Sequence, residues 1–374
     1  MKINYILAGT ALLALSLASC REDEPIDPSR GTEVGGDETE TVTGFYLLNE
    51  GNMGANKASL DYYDYGSGIY SRNIFSERNP AVALGLGDQG NDLKIYGGKL
   101  FAVIHGSGLV EVMDAATAEH IAAIAVAGCR YVAFDEGFAY VSSYAADQTG
   151  STEGVGSVAK IDLSSATVVA RCAVGYQPEE LAVVDGRLYV ANSGGYRSPN
   201  YDNTVSVIDL ATFTETTKIE VAVNLHRLEA DGAGNIYVSS RGDYDMVAAA
   251  TYILDTQTES VRELAGLTVT DMTLVGDKIY AFGVTYDPAT WAATNSYAVV
   301  DTATQTVVSE DFISSTDIVT PYGIAVNPEN GDIFIADAGS YVLPGTLHCY
   351  SAEGAPKWSV TTGDIPSRIA FVTE

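Results

Sequence analysis

The chain has 374 residues, 18% of them charged and 46% apolar, and a formal net charge of −29 from 20 basic and 49 acidic side chains. That balance is globular and not disordered, and so acidic a molecule is repelled by phosphate backbones, which excludes nucleic acid as a partner. Length alone suggests about two domains, but an internal repeat overrides that rule.

Residues 1–19 read as an export signal: Lys2, an apolar run from Tyr5 to Ala18, then small residues before Cys20. The run is shorter than the ~20 residues that a membrane-spanning helix needs. The stretch "LASC" (17–20) resembles a bacterial lipobox, which implies acylation of Cys20 and a membrane anchor through that lipid. Residues 20–43 are polar, acidic and without apolar period, so a flexible tether is expected, with an r.m.s. reach of roughly 25 Å. The acidic cluster behind Cys20 resembles the surface-export signal of Bacteroidota lipoproteins. The expected place is therefore the outer membrane, facing the exterior.

Residues 44–374 repeat one unit. A strand of apolar-aromatic-apolar form recurs as "FYLLNE" (45–50), "KLFAVIH" (99–105), "FAYVSS" (138–143), "RLYVANS" (187–193), "NIYVSSR" (235–241), "KIYAFG" (278–283) and "DIFIADA" (332–338). A later strand, most often ending in Asp, recurs as "SLDYYD" (59–64), "LVEVMD" (109–114), "VAKIDL" (158–163), "VSVIDL" (205–210), "TYILDT" (251–256), "YAVVDT" (297–302) and "TLHCYS" (346–351). The spacing matches a four-stranded propeller blade, and the Val, Ile and Tyr enrichment without a 3.6-residue period argues all-β. Seven units predict a seven-bladed β-propeller. The first unit lacks an innermost strand, whereas "SRIAFVTE" (367–374) is a strand without a blade. Pairing of that strand with "FYLLNE" is the expected closure. The Asp residues that recur once per unit, Asp64, Asp114, Asp162, Asp209, Asp255 and Asp301, are expected to cap the turn that follows.

With strands labelled a to d from the inside outward, the a–b and c–d turns share one face and the b–c and d–a connections the other. The a–b turns ("YGG", "DEG", "VDG") are turn chemistry and little else. The opposite side carries "SYAADQTGSTEGVGS" (143–157), "NSGGYRSPNYDN" (192–203), "SRGDYDMVAAA" (240–250), "VTYDPATWAATN" (284–295) and "AGSYVLPG" (338–345), with d–a connections such as "GCRY" (128–131), "GYQPEE" (175–180) and "NLHR" (224–227). Tyr, Trp, Arg and Asn gather there, the residue types that give large contact area with directed hydrogen bonds. Long loops on a rigid scaffold are where binding concentrates.

No Gly-x-Ser-x-Gly elbow and no His-Glu-x-x-His is present. Cys129, Cys172 and Cys349 lack metal-type spacing, and one disulfide among them stays open. Of four histidines only His105 and His226 fall on the loop-rich side. Carboxylates there, including Asp88, Asp92, Glu179, Glu180, Asp243 and Asp271, are too dispersed along the chain to nominate an acid–base pair. The residues thus point to a binder, with no catalytic residue, metal or cofactor expected. A glycan- or protein-binding propeller and a lactonase- or lyase-type enzyme stay open as alternatives.

Several stretches carry a resemblance: "LLNEGNMGANKASLDYYDY" (47–65), "CRYVAF" (129–134), "VGYQPEELAVVDGRLYVANSGGYRSPNYDNTVSVIDL" (174–210), "NLHRLEADG" (224–232), "VSSRGDY" (238–244), "PYGIAVNPENGDIFIADAGSYV" (321–342) and "KWSVTTGDIPSRIAF" (357–371). They resemble the BtuG-type surface lipoproteins of the YncE-like propeller superfamily. The resemblance implies capture of cobalamin or related corrinoids and their delivery to a TonB-dependent outer-membrane transporter of the BtuB type. The ligand contacts expected from the loops are Asn52, Asn91, Asp92, His105, Arg130, Tyr131, Tyr144, Tyr176, Tyr196, Arg197, Tyr201, His226, Arg227, Arg241, Asp243, Tyr244, Tyr286, Trp291, Tyr322, Tyr341 and Arg368. A corrin rimmed with amides suits a face of aromatic planes and paired donors and acceptors.

Overall fold

The computed structural model describes residues 31–35, 39–147, 150, 153–287, 290, 292–313 and 317–373. They form seven antiparallel sheets arranged as a seven-bladed propeller. Blades two to seven have four strands each and run outward in chain order. Their inner strands are Gly90–Tyr96, Cys129–Asp135, Pro178–Val184, Leu225–Ala230, Asp271–Val275 and Pro321–Val326. Blade one is closed as expected: the strand Pro366–Thr373 pairs with Val42–Asn49, setting Phe371 opposite Phe45 and Ile369 opposite Leu47.

Each blade is a twisted sheet that is apolar on both faces, so it must bury both against neighbours. Apolar clusters accordingly fill the seams between blades. Phe101, Val103, Val110 and Val112 of blade two pack on Val132, Val141 and Ile161 of blade three. Across the closing seam Phe45, Leu47 and Tyr63 meet Phe334, Leu347 and Trp358, with the Phe45 and Phe334 rings 4.8 Å apart.

The recurring aspartates do cap the c–d turns. Oδ1 of Asp64, Asp114, Asp162, Asp209, Asp255 and Asp301 accepts the backbone N–H three residues on, at 2.7–3.0 Å. Cys129, Cys172 and Cys349 are buried thiols, so the disulfide left open by their number does not form.

Two details differ from expectation. The fold reaches N-terminal of residue 44: Thr32–Glu33 adds a fifth strand to blade one, and the Glu329 carboxylate accepts the N–H groups of Thr41 and Val42 at 2.9 and 2.8 Å. Residues 284–286 and 293–295, expected in a b–c loop, are strand instead. Strands Lys278–Tyr286 and Ala293–Asp301 continue their ladder to Tyr286 opposite Ala293, so a hairpin arm stands up from blade six. Val284, Thr285 and Tyr286 are β-forming residues that suit an extended ladder as well as a loop.

Candidate functional site

The stretches read as d–a connections end in the first residues of the inner strands. Second positions hold Asn91, Arg130, Glu179, His226, Tyr322 and Ser367; third positions hold Asp92, Tyr131, Glu180, Arg227, Gly323 and Arg368. Asp271, which opens the sixth inner strand and pairs with Phe282 as Asp92 pairs with Val103, lies at the level of the third positions. Carboxylates far apart in sequence therefore converge on the propeller axis.

The third positions form a belt across the channel. Arg227 Nε lies 2.9 Å and Arg368 Nη1 3.1 Å from Asp271 Oδ1. Arg368 also lies 3.9 Å from Glu180 and 4.0 Å from Asp92. Asp92 accepts the Val132 N–H at 3.0 Å and Glu180 that of Leu228 at 3.1 Å. The Tyr131 ring sits beneath the Arg227 and Arg368 guanidiniums, 5.3 and 5.7 Å from its centroid. Burial pushes Asp271 up to about 7 against the pull of Arg227. Blade seven contributes Gly323 to the belt, because a Cβ there would stand 1.7 Å from the Ser367 carbonyl oxygen. Below the belt lie two hollows of about 310 and 280 Å³ that share Lys94, Glu180 and Glu229. Burial, together with neighbouring Glu180, raises Glu229 to about 8.

Above the belt, Glu179 ties three blades together. It accepts from Arg130 Nη2 at 3.0 Å, from the Tyr144 hydroxyl at 2.7 Å and from Arg241 Nη1 at 3.3 Å. Burial opposes its charged form, yet Arg130, Arg241 and the Tyr144 hydroxyl hold the carboxyl at about 2. Nearby, the Tyr131 hydroxyl accepts from Arg227 Nη1 at 2.7 Å, which leaves its own proton for His226 Nε2 at 3.1 Å. Burial, then Arg227, Arg241 and Arg130, holds His226 well below its usual range, so the ring is neutral. Glu50, at the end of the second strand of blade one, accepts the Tyr322 hydroxyl at 3.0 Å, and burial lifts it to about 7.

Around this floor runs a crown of exposed apolar side chains. Among the described residues fifteen large hydrophobics are exposed, and eleven of them, Met53, Leu84, Tyr196, Tyr244, Met246, Val247, Tyr286, Val319, Tyr341, Val342 and Leu343, belong to the loop-rich side. The other four lie on outer strands. Tyr196 is 76% and Tyr244 73% exposed. The crown is partly ordered from within: the Arg197 guanidinium lies 3.6 Å above the Tyr176 ring, Tyr196 stands edge-on to Tyr144 at 5.7 Å, and Tyr322 edge-on to Tyr341 at 5.7 Å. The Tyr201 hydroxyl reaches the Asp243 carbonyl at 3.5 Å.

The expected contacts thus divide. His105, Arg130, Tyr144, Tyr176, Tyr196, Arg197, Tyr201, His226, Arg241, Tyr244, Tyr286, Tyr322 and Tyr341 build the floor and crown. Asn91 gives its amide to the Arg130 carbonyl, Asn52 gives its own to that of Tyr341, and Asp243 caps its loop by accepting the Val247 N–H at 2.7 Å. Asp92, Tyr131, Arg227 and Arg368 are spent on the belt. These residues support the site from within. Trp291 and Cys20 lie outside the described residues. The loop reading missed Glu50 and passed over Glu179; for Glu179 the signal was the charged residue near the start of the inner strand in blades one to six, a signal that Glu50, at the end of a second strand, does not share.

Fold and site together define the class: a seven-bladed β-propeller with charged side chains paired across its axis beneath an aromatic, partly apolar face. The chain belongs to the family described as "Domain of unknown function (DUF5074)", which matches residues 43–362. No curated protein matches it. Solved structures similar to it include a quinonprotein alcohol dehydrogenase-like protein from Bacteroides thetaiotaomicron, at 13% identity over 89% of this chain and 79% of that one, TM-score 0.62. A hypothetical selenium-binding protein from Sulfolobus tokodaii has 10% identity over 90% and 95%, TM-score 0.62. Hydrazine synthase from Kuenenia stuttgartiensis has 18% identity over 70% and 76%, TM-score 0.56. At these identities the likeness is one of fold.

Proposed function

We propose that the protein is a capture protein for cobalamin and related corrinoids, anchored through Cys20 to the outer membrane and delivering its cargo to a TonB-dependent transporter. The observation that carries the reading is the crown: eleven of the fifteen exposed large hydrophobics among the described residues ring a floor of fixed guanidinium and hydroxyl groups. Such a surface matches a large flat ligand with an apolar face and a polar rim. The resemblance to BtuG-type lipoproteins narrows that class to a corrinoid. The floor is preorganised, because Glu179 holds Arg130, Arg241 and Tyr144 before any ligand arrives, and this lowers the ordering cost of binding. Its carboxylates are held by arginines and hydroxyls, which suits holding a ligand more than turning it over.

Calorimetry with cyanocobalamin tests the reading. Tight binding is expected, and the triple variant Tyr196→Ala, Arg197→Ala, Tyr244→Ala, checked for folding, should bind about 100-fold or more weakly, roughly 3 kcal/mol. Absence of binding by the unmodified protein, or unchanged affinity in the variant, removes this face as the capture site.

A further inference from the structure

We propose that His105 is a coordinating residue, its Nε2 taking the exchangeable axial position of the cobalt in a corrinoid held on the loop-rich face. The inference rests on the corrinoid reading above and extends it to one atom. His105 opens the b–c turn of blade two, and its Nδ1 lies 2.9 Å from the Cys129 carbonyl oxygen. A carbonyl only accepts, so the proton sits on Nδ1 and Nε2 keeps its lone pair. Burial and the Arg130 charge lower the histidine below its usual range, which keeps the ring neutral. A backbone carbonyl on the distal nitrogen is the arrangement that orients metal-bound histidines.

The other three histidines are engaged. His226 Nε2 meets the Tyr131 hydroxyl, His120 meets Glu111, and His348 lies between Ser359 and Asp337 on blade seven. Among the described residues His105 Nε2 has no partner; its ring is half-buried and stands edge-on to Tyr144 at 5.7 Å. Tyr144 is edge-on to Tyr196 in turn, so His105, Tyr144 and Tyr196 form an aromatic row across blades two to four. No group of three His, Cys, Asp or Glu among the described residues could hold a bare metal ion. A single open imidazole therefore suits a metal whose other positions arrive already filled, as in a corrin ring. The step is a ligand substitution: the cobalt–water bond breaks and water leaves, the Nε2 lone pair forms the cobalt–nitrogen bond, cobalt keeps its oxidation state, and the proton stays on Nδ1, donated to the Cys129 carbonyl oxygen.

The test compares aquocobalamin, whose water exchanges, with cyanocobalamin, whose cyanide does not. Bound aquocobalamin should acquire the absorption spectrum of an imidazole adduct and bind at least about tenfold more tightly than cyanocobalamin. His105→Phe, which keeps a ring against Tyr144, should bind both forms alike without the spectral change, and free imidazole should restore the spectrum. Binding of both forms by the unmodified protein without a spectral change overturns coordination alone, as does a change that persists in His105→Phe. Binding of neither form overturns the capture reading and this one with it. Nitrogen chemical shifts of the ligand-free protein decide the tautomer separately, and a proton on His105 Nε2 overturns the inference whatever binds.

Discussion

Two carboxylates show how one fold sets opposite charge states a few residues from the same axis. Glu50 is half-buried with a hydroxyl as its bonded partner, and loss of water lifts its carboxyl from 4.5 to about 7; Glu179, more fully buried, faces two guanidiniums and falls to about 2. Because the folded form of Glu50 holds its proton more tightly than the unfolded chain, its contribution is complete below pH 4.5 and is lost as pH rises through about 7. Glu50→Gln should therefore stabilise the protein by about 3 kcal/mol at pH 8 and hardly at pH 4.5, read from denaturant midpoints; equal effects at both would refute the burial account. For Glu179 the sign reverses, with stability present above pH 4.5 and lost as pH falls toward 2. Removing that carboxylate leaves Arg130 and Arg241 facing each other unpaired, and Glu179→Ala should cost about 3–5 kcal/mol.

At the scale of elements, the seams between blades decide what each strand tolerates. Gly323 lies where blade seven meets the closing strand, and the atom that a Cβ would strike there is the backbone oxygen of Ser367, 1.7 Å away. A backbone cannot swing aside as a side chain can, so Gly323→Ala should cost about 1–3 kcal/mol or more by forcing the seam open. The same substitution at Gly97, whose Cβ would meet nothing within 4 Å, serves as a control for the seam, although its φ of +57° brings its own smaller cost. The closing strand itself joins the two ends of the chain. Truncation before Pro366 removes the partner of Val42–Asn49 and the Arg368 ion pairs, and cooperative thermal unfolding by circular dichroism should be lost. A sharp, unshifted transition in the truncated chain would show that closure is not what holds the ring.

For the whole molecule, a net charge of −29 makes self-repulsion a global term that no single pair expresses. Raising ionic strength from about 10 to 150 mM shortens the Debye length from roughly 30 to 8 Å, and the melting temperature should rise accordingly. The buried pairs of the belt are screened far less, so variants there should keep their destabilisation in salt. A melting temperature that falls with salt would place the balance in favourable surface pairs.

The propeller, its seven units, the closing strand, the capping aspartates and the richer face were all legible in the chain, because each depends on short-range spacing repeated at a fixed period. A strand such as "FAYVSS" declares itself by its β-forming residues, and "SGGYRSPNYDN" (193–203) its loop, without reference to anything distant. The floor was different. Asp92, Glu180, Arg227, Asp271 and Arg368 recur at equivalent heights, but height says nothing of which side chain spans the axis to which, and "GCRY" looked like connection because it begins a strand just where the loop ends. Only closing the ring brings Arg130, Tyr144 and Arg241 onto one carboxylate, leaves His105 with an open nitrogen, and strips water from Glu50. Desolvation and pairing across the axis are properties of the assembled circle, and no local stretch of sequence contains them.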